Sequence, residues 1–295
     1  MIYLPHPDID DSTILTTLAN TPGLGSYPLL RQRLRRISGR YRTYVEAQGN
    51  AWEIPSLRKS VLPDVLKLAL QNHYETPPQA IEFLSPMRSE ASPDICSMCG
   101  APKSGTLDHV FPKGKFPEFS FFSRNLVPAC DCNTKRGERL KGRKREERVL
   151  HPYFDVALKR RLIRASLSAG THGYSKPVIS LQICVRSSNP VYTAIKYHLE
   201  NVIERTDVVH YLFQYWKRIL RNPEDHLRLP SGAFTKSQFD QAVREELRRL
   251  DRRRSTPNNW ESMLLAGLTV NPSVRTFVMR TVRDLRAGRT NAADV

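Results

Sequence analysis

Four of the five cysteines stand in two close pairs, Cys96-x-x-Cys99 and Cys130-x-Cys132, inside a stretch from residue 94 to about 150. That stretch is rich in Gly, Pro, Cys and Lys and holds only short apolar runs, so it cannot bury much core alone and needs a staple. Soft thiolates select zinc over magnesium, and a closed tetrahedron of four thiolates has no open position, so a zinc ion here is structural. Five cysteines are too few, and too odd a number, for a secreted disulfide scaffold. Cys184 stands alone in an alternating apolar run and is expected in the core.

The flanks of this stretch read as helical. Leucines recur at intervals of three and four residues over Thr13–Ala19, Pro28–Gln48, Ser56–Asn72 and a short piece at Pro78–Leu84. Pro86 and the run Ser89–Asp94 mark a boundary near residue 90. Beyond Asp155 the pattern predicts helices over Val156–Leu167, Tyr192–Ile203, Thr206–Leu220, Lys236–Arg252, Trp260–Leu265 and Ser273–Arg286, with one alternating strand at Pro177–Arg186 and a frayed end after Ala287. The expected organisation is an N-terminal helical region (1–93), a central module (94–150) and a C-terminal helical region (151–295).

Charge points to a partner. Forty-six Lys and Arg against 29 Asp and Glu leave +17, an excess that draws a polyanion through long-range field and counterion release. It is also patchy: Leu29–Thr43 holds six arginines (Arg31, Arg33, Arg35, Arg36, Arg40, Arg42) and no acid, and Arg139–Arg164 holds ten bases against Glu146, Glu147 and Asp155. No apolar run approaches the roughly 18 to 20 residues of a membrane helix, and the first residues lack the pattern of a secretory signal. A cytoplasmic location is expected.

The middle stretch reads Ile95-Cys96-Ser97-Met98-Cys99-Gly100, then Thr106-Leu107-Asp108-His109-Val110-Phe111-Pro112-Lys113, then Asn125-Leu126-Val127-Pro128-Ala129-Cys130-Asp131-Cys132-Asn133-Thr134-Lys135-Arg136-Gly137. Over about fifty residues it resembles the HNH endonucleases, the zinc-ribbon branch of the His-Me finger (ββα-metal) nucleases. Their signature is a Cys pair, an Asp-His step, an Asn-Leu-Val-Pro stretch and a Cys pair ending in Cys-Asn. The second pair here has a spacer one residue shorter than is usual. The fold class implied is mainly α with an embedded ββα-metal (HNH) zinc-ribbon module.

The resemblance also implies roles. His109 matches the general base, Asp108 and Asn133 match ligands of a catalytic divalent cation, and Asn125 matches the middle Asn, which holds the loop and can orient the base. Phosphodiester hydrolysis needs such a base, and a hard cation with oxygen ligands, magnesium or manganese, to neutralise developing charge. Adjacent strand residues point to opposite faces, so Asp108 and His109 need a bend to serve one phosphate. Cys96, Cys99, Cys130 and Cys132 are the zinc ligands. Lys113, Lys115, Lys135, Arg136 and Arg139 flank the metal helix as candidate phosphate contacts. Phe116, Phe119, Phe121 and Phe122 are expected to anchor the intervening loop, and His151 to pack behind the site. The expected activity is DNA nicking, one strand at a time. A setting in bacterial antiphage defence, as in effectors of the Zorya type, with partner proteins from the same operon, is implied by resemblance alone. Competing readings are a non-catalytic nucleic-acid-binding subunit and an RNA-cutting toxin.

Overall fold

The computed structural model describes residues 1–58, 60–89 and 93–290. Four helices come first: α1 (Asp11–Ala19), α2 (Leu29–Glu46), α3 (Asp64–Glu75) and α4 (Leu84–Ser89). Asp10 caps α1 by accepting from the backbone N–H groups of Ser12 and Thr13. The third helix starts at Asp64, later than the periodicity of residues 56–72 predicts, because Pro63 favours the position just before a helix and disfavours helix through it. The expected boundary at residue 90 falls outside the described residues, as does the chain after 290.

A short antiparallel pair follows. Strand β1 (Thr106–His109) pairs with β2 (Leu126–Ala129), with Asp108 opposite Val127 and His109 opposite Leu126, and α5 (Cys132–Arg136) starts three residues after β2. The sixteen residues between the strands are a loop pinned by its own aromatic side chains. Phe116, Phe119, Phe121 and Phe122 are all buried, and Tyr41 and Tyr44 of α2 meet them with ring centroids 4.2 Å (Tyr41–Phe122) and 4.9 Å (Tyr44–Phe119) apart. They anchor the loop as expected.

The second sheet corrects the sequence reading. Val156–Leu167 is not a helix: a 3₁₀ turn at Val156–Lys159 leads into β3 (Ile163–Gly170), paired antiparallel with β4 (Gly173–Ile183). Ile163, Ala165 and Leu167 are buried and alternate with less buried neighbours, a period of two. Cys184, just beyond β4, is half-buried rather than in the core. The remaining helices are α6 (Tyr192–His198), which opens into a wider π turn over Leu199–Ile203, then α7 (Val208–Arg221), α8 (Pro223–His226), α9 (Lys236–Arg253), α10 (Trp260–Val270) and α11 (Pro272–Arg286). Helix α10 buries every residue from Met263 to Leu268, as a helix apolar all round must. It lies against β3, α7 and α9. No described helix is long and apolar enough to cross a membrane.

The three stretches read from sequence share one core. Cys96, Met98, Leu107 and Phe111 belong to the same buried cluster as Leu15 and Tyr44 before them and Leu199, Trp260 and Met263 after them. One joint is Gly100. Its φ of +84° suits glycine, and a β-carbon there would lie 2.2 Å from the carbonyl oxygen of Asn258. Asn258 is itself fully engaged, accepting from Leu162 N–H (2.7 Å) and donating to the carbonyls of Leu158 (2.9 Å) and Arg160 (2.8 Å).

Candidate metal centre and active site

The two cysteine pairs meet. Cys96 and Cys99 flank a tight turn, Cys130 directly follows β2, and Cys132 opens α5; all four are buried and their sulfurs lie within 4.8 Å of one another. Separations of 3.6 Å (Cys96–Cys132) and 3.4 Å (Cys99–Cys130) lie a little below the edge of a tetrahedron. That edge is roughly 3.8 Å for metal–sulfur bonds of about 2.3 Å. The short spacer works because one sulfur leaves a strand end and the other a helix start. The Cys132 N–H donates to Cys130 Sγ (3.4 Å), and the N–H groups of Cys99 and Cys130 donate to Cys96 Sγ (3.4 and 3.3 Å).

Thiols this crowded conflict without a cation. Burial opposes ionisation of Cys96 but is outweighed by hydrogen bonds from the other sulfurs, which hold its thiol well below the usual range. Burial pushes Cys99 up, and bonding among the sulfurs does the same to Cys132. A soft divalent cation such as zinc fits this donor set and removes the conflict.

The turn that carries Cys96 and Cys99 is gripped from outside. Ile2 N–H donates to the carbonyl of Ser97 (3.1 Å), His198 Nε2–H to that of Met98 (2.7 Å), and Trp260 to those of Cys99 (Nε1–H, 2.9 Å) and Gly100 (N–H, 3.1 Å). His198 Nδ1 accepts from Leu150 N–H (3.0 Å), which puts the ring proton on Nε2, and burial lowers its pKa to about 4. It is a neutral clamp. Nothing in the spacing of His198 or Trp260 marks them in the sequence; their partners are 100 and 161 residues away.

Asp108 and His109 converge at the end of β1. The Asp108 carboxylate folds back to accept from the His109 N–H (2.7 Å) and lies 3.8 Å from His109 Nδ1. Burial alone would raise the Asp108 pKa, but hydrogen bonding from His109 and the charge of Arg136 outweigh it and hold the carboxyl below its ordinary range. His109 is 5% exposed, and its Nε2 lies 2.8 Å from the carbonyl oxygen of Ser120. A carbonyl only accepts, so in the neutral ring the proton sits on Nε2 and Nδ1 keeps its lone pair. The Tyr74 ring meets the imidazole edge-on at 4.4 Å, held by a bond from its hydroxyl to the Leu107 carbonyl.

Helix α5 brings two residues to the same place. Asn133 Nδ2 donates to the His109 carbonyl (3.2 Å), while its Oδ1 is buried without a hydrogen-bond partner among the described residues. An orphaned buried amide oxygen is costly unless a donor or a cation meets it. Arg136 donates to the carbonyls of His109 (3.2 Å) and Val110 (2.9 Å).

Asn125 is buried in a closed set of hydrogen bonds. Its Oδ1 accepts from Phe111 N–H (2.7 Å) and Tyr44 hydroxyl (3.0 Å), and its Nδ2 donates to the carbonyls of Phe111 (3.0 Å) and Phe119 (3.1 Å). All of its amide is in use, and its bond to the Phe119 carbonyl holds the chain one residue before Ser120, whose own carbonyl meets His109 Nε2. Behind it, Tyr44 lies 2.8 Å from His151 Nε2. His151 Nδ1 accepts from Tyr153 N–H (3.2 Å), so Nε2–H donates to Tyr44 and Tyr44 donates to Asn125. Burial depresses the His151 pKa to about 3. His151 therefore does more than pack. Gly49 lets it in, since a β-carbon there would lie 2.4 Å from the ring.

The five cations read as phosphate contacts divide. Arg136 is 1% exposed and gives its Nη2 to carbonyls, while its Nε and Nη1 are buried without a partner among the described residues. Lys113 is paired with Glu75, and Lys135 with Asp131 (3.0 Å) and Asp207 (3.4 Å). Lys115 and Arg139 are exposed without a carboxylate partner among the described residues.

No family model matches this chain, and no solved structure matches it. Over 87 residues it is 31% identical to protein ea31 of Escherichia phage lambda, a match that covers 28% of this chain and 29% of that protein. The chain thus spans less than a third of the length of the curated relative it matches.

Proposed function

We propose that the chain is a metal-dependent DNA endonuclease that nicks one strand by attack of water on a phosphodiester, with His109 as the general base. The observation that carries this reading is the hydrogen bond from His109 Nε2–H to the Ser120 carbonyl, which leaves Nδ1 free to accept a proton from water beside Asp108. Asp108 and Asn133 would hold a divalent magnesium or manganese ion; the low pKa of Asp108 and the unpartnered Oδ1 of Asn133 suit hard-cation coordination. Such an ion, when bound, neutralises charge building on the phosphate and the leaving oxygen. His109 takes the proton, Asp108 stabilises the imidazolium that forms, and Ser120 keeps the ring in register. Cys96, Cys99, Cys130 and Cys132 would hold zinc, and Cys132 as a ligand would tie the start of α5, and so Asn133, to the cluster. The setting taken from the family resemblance is bacterial antiphage defence.

The test is relaxation of supercoiled plasmid, with and without magnesium, by the wild type and by His109→Ala at equal zinc content. The expected result is metal-dependent conversion to open circles, reduced about 100-fold or more in the variant. Cutting by both proteins alike would overturn the assignment of the base, and binding without turnover by either would favour the non-catalytic reading.

A further inference from the structure

We propose that the outer face of α2 is a docking surface for the sugar-phosphate backbone of duplex DNA, a partner class that rests on the nuclease reading. The helix carries six arginines and a single acid, Glu46, at its last position. Its inner face, with Leu30, Ile37, Tyr41 and Tyr44, is buried. Arg40 leaves the outer set, since it bonds Glu118 (3.0 Å) and the carbonyl of Pro55 (2.6 Å). Arg31, Arg33, Arg35, Arg36 and Arg42 make no hydrogen bond or ion pair with any described residue, and all but the half-buried Arg33 are exposed.

That concentration is local. Around His109, Lys113 and Lys135 are paired with carboxylates and Arg136 is buried. Helix α9 is equally rich in bases, but Asp240, Glu245, Glu246 and Asp251 are interspersed among them, and Arg249 pairs with Glu246 (2.8 Å). Net charge therefore accumulates on α2, where five of the six arginines have no carboxylate partner among the described residues. Charge of one sign without internal partners attracts a polyanion and gains from counterion release.

The spacing suits a phosphate chain. Arg31, Arg35 and Arg42 fall within about 40° of one another around the helix and span roughly 16 Å along it, enough to meet several phosphates of one strand. Arg33, Arg35 and Arg36 border a groove of about 720 Å³ with Ser60 and Val61. At the other end Arg42 and Arg124 share a groove of about 580 Å³, where Asp10, Asp11 and Glu46 mark the limit of the basic face. Arg124 directly precedes Asn125. A membrane surface is the poorer occupant: the outer face carries Arg, Gln, Ser and Gly, with none of the protein's exposed large apolar residues to insert.

The test measures binding apart from cutting. Full-length His109→Ala protein, without divalent metal, is titrated into a fluorescein-labelled DNA duplex over a series of salt concentrations. The same is done in that background for Arg31→Gln/Arg35→Gln/Arg42→Gln and for a control of equal charge change on α9, Arg244→Gln/Arg248→Gln/Arg252→Gln. Each lost phosphate contact lowers the slope of log affinity against log salt by about 0.9, so the α2 variant is expected to lose between one and three such steps and at least tenfold in affinity, with the control unchanged. Equal slopes in all three proteins would overturn the proposal. So would an α2 variant that keeps duplex binding but loses binding to vesicles of anionic lipid. Because no cleavage is needed, failure of the nuclease reading shows only in the plasmid assay and leaves this result legible.

Discussion

One hydroxyl joins the helical body to the candidate base. Tyr44 stands 81 residues from Asn125 in sequence, yet its hydroxyl is the link between His151 and the amide that holds the Phe119 carbonyl, one residue before the Ser120 carbonyl that meets His109. Tyr44→Phe keeps the ring packing and removes the link, so it should cost about 1–2 kcal/mol of stability. It should also lower the nicking kcat with KM little changed, because the loop holding His109 loosens while phosphate contacts stay. A fall in Tm with kcat untouched would reduce Tyr44 to packing alone. His151 supplies a second test, on pH. Its native pKa of about 3 lies below the unfolded value of 6.5, so the unfolded chain binds the extra proton. Its contribution is present in full above pH 6.5 and is lost as pH falls toward 3; between pH 7 and 5 the loss is about 2 kcal/mol. Asp11 works in the opposite direction, its carboxyl raised to about 6 by burial, so the comparison must be a difference. His151→Gln, which can still donate to Tyr44, should melt with a flatter acid dependence than the wild type, and parallel Tm-against-pH curves would refute this account. Of these residues the sequence singles out Asn125 and His151 by their neighbours in the motif. Tyr44 is silent there, since a tyrosine at helical spacing reads as core, which it also is.

Elements were legible where local pattern and tertiary packing agree. Helices α2, α7, α9 and α11 follow their apolar periodicity because each lays one stripe on the core. Strand β3 was not legible: Ile163, Ala165 and Leu167 also fit a helical reading when taken with Val156 and Leu158, and only pairing with β4 decides the period. The cysteine spacing points to a metal, but not to how a one-residue spacer can serve it. That needs β2 and α5 to meet at Cys130 and Cys132. Helix α5 is only five residues long and cannot stand on its own. Its support is the sulfur of Cys132 at one end and the carbonyl bonds of Asn133 and Arg136 along its side. Substituting Cys132→Ala should therefore release zinc, with metal analysis falling from one ion per chain toward none. Nicking should be lost with it, while most far-UV helical signal stays, because the long helices do not depend on the centre. Full zinc retention with lost activity would show that Cys132 acts on the site otherwise than through the metal.

At the scale of the whole molecule, the three stretches distinguished by composition pack into one buried cluster. The carbonyls of Ser97, Met98, Cys99 and Gly100 are satisfied by Ile2, His198 and Trp260, none of them in the central stretch. Tyr153 closes the far side, its hydroxyl donating to the Leu126 carbonyl (2.8 Å). The aromatic loop leans on Tyr41 and Tyr44 of α2. A fragment of residues 94–150 would thus open at least four backbone acceptors and strip Phe119 and Phe122 of the Tyr41 and Tyr44 rings that cover them. Each exposed acceptor loses a net bond of about 1 kcal/mol, and each uncovered ring about 2 to 3 kcal/mol. Such a sum is comparable with the entire stability of a segment that small. The fragment should still bind zinc through its four thiols, yet show collapsed amide dispersion in a proton–nitrogen NMR spectrum and no cooperative melt. Trp260→Ala in the full chain should act in the same direction and more mildly, lowering both Tm and zinc affinity from a position remote in sequence from every cysteine. A well-dispersed spectrum of the fragment would mean that zinc alone organises the site, and that the helical flanks serve the substrate rather than the fold.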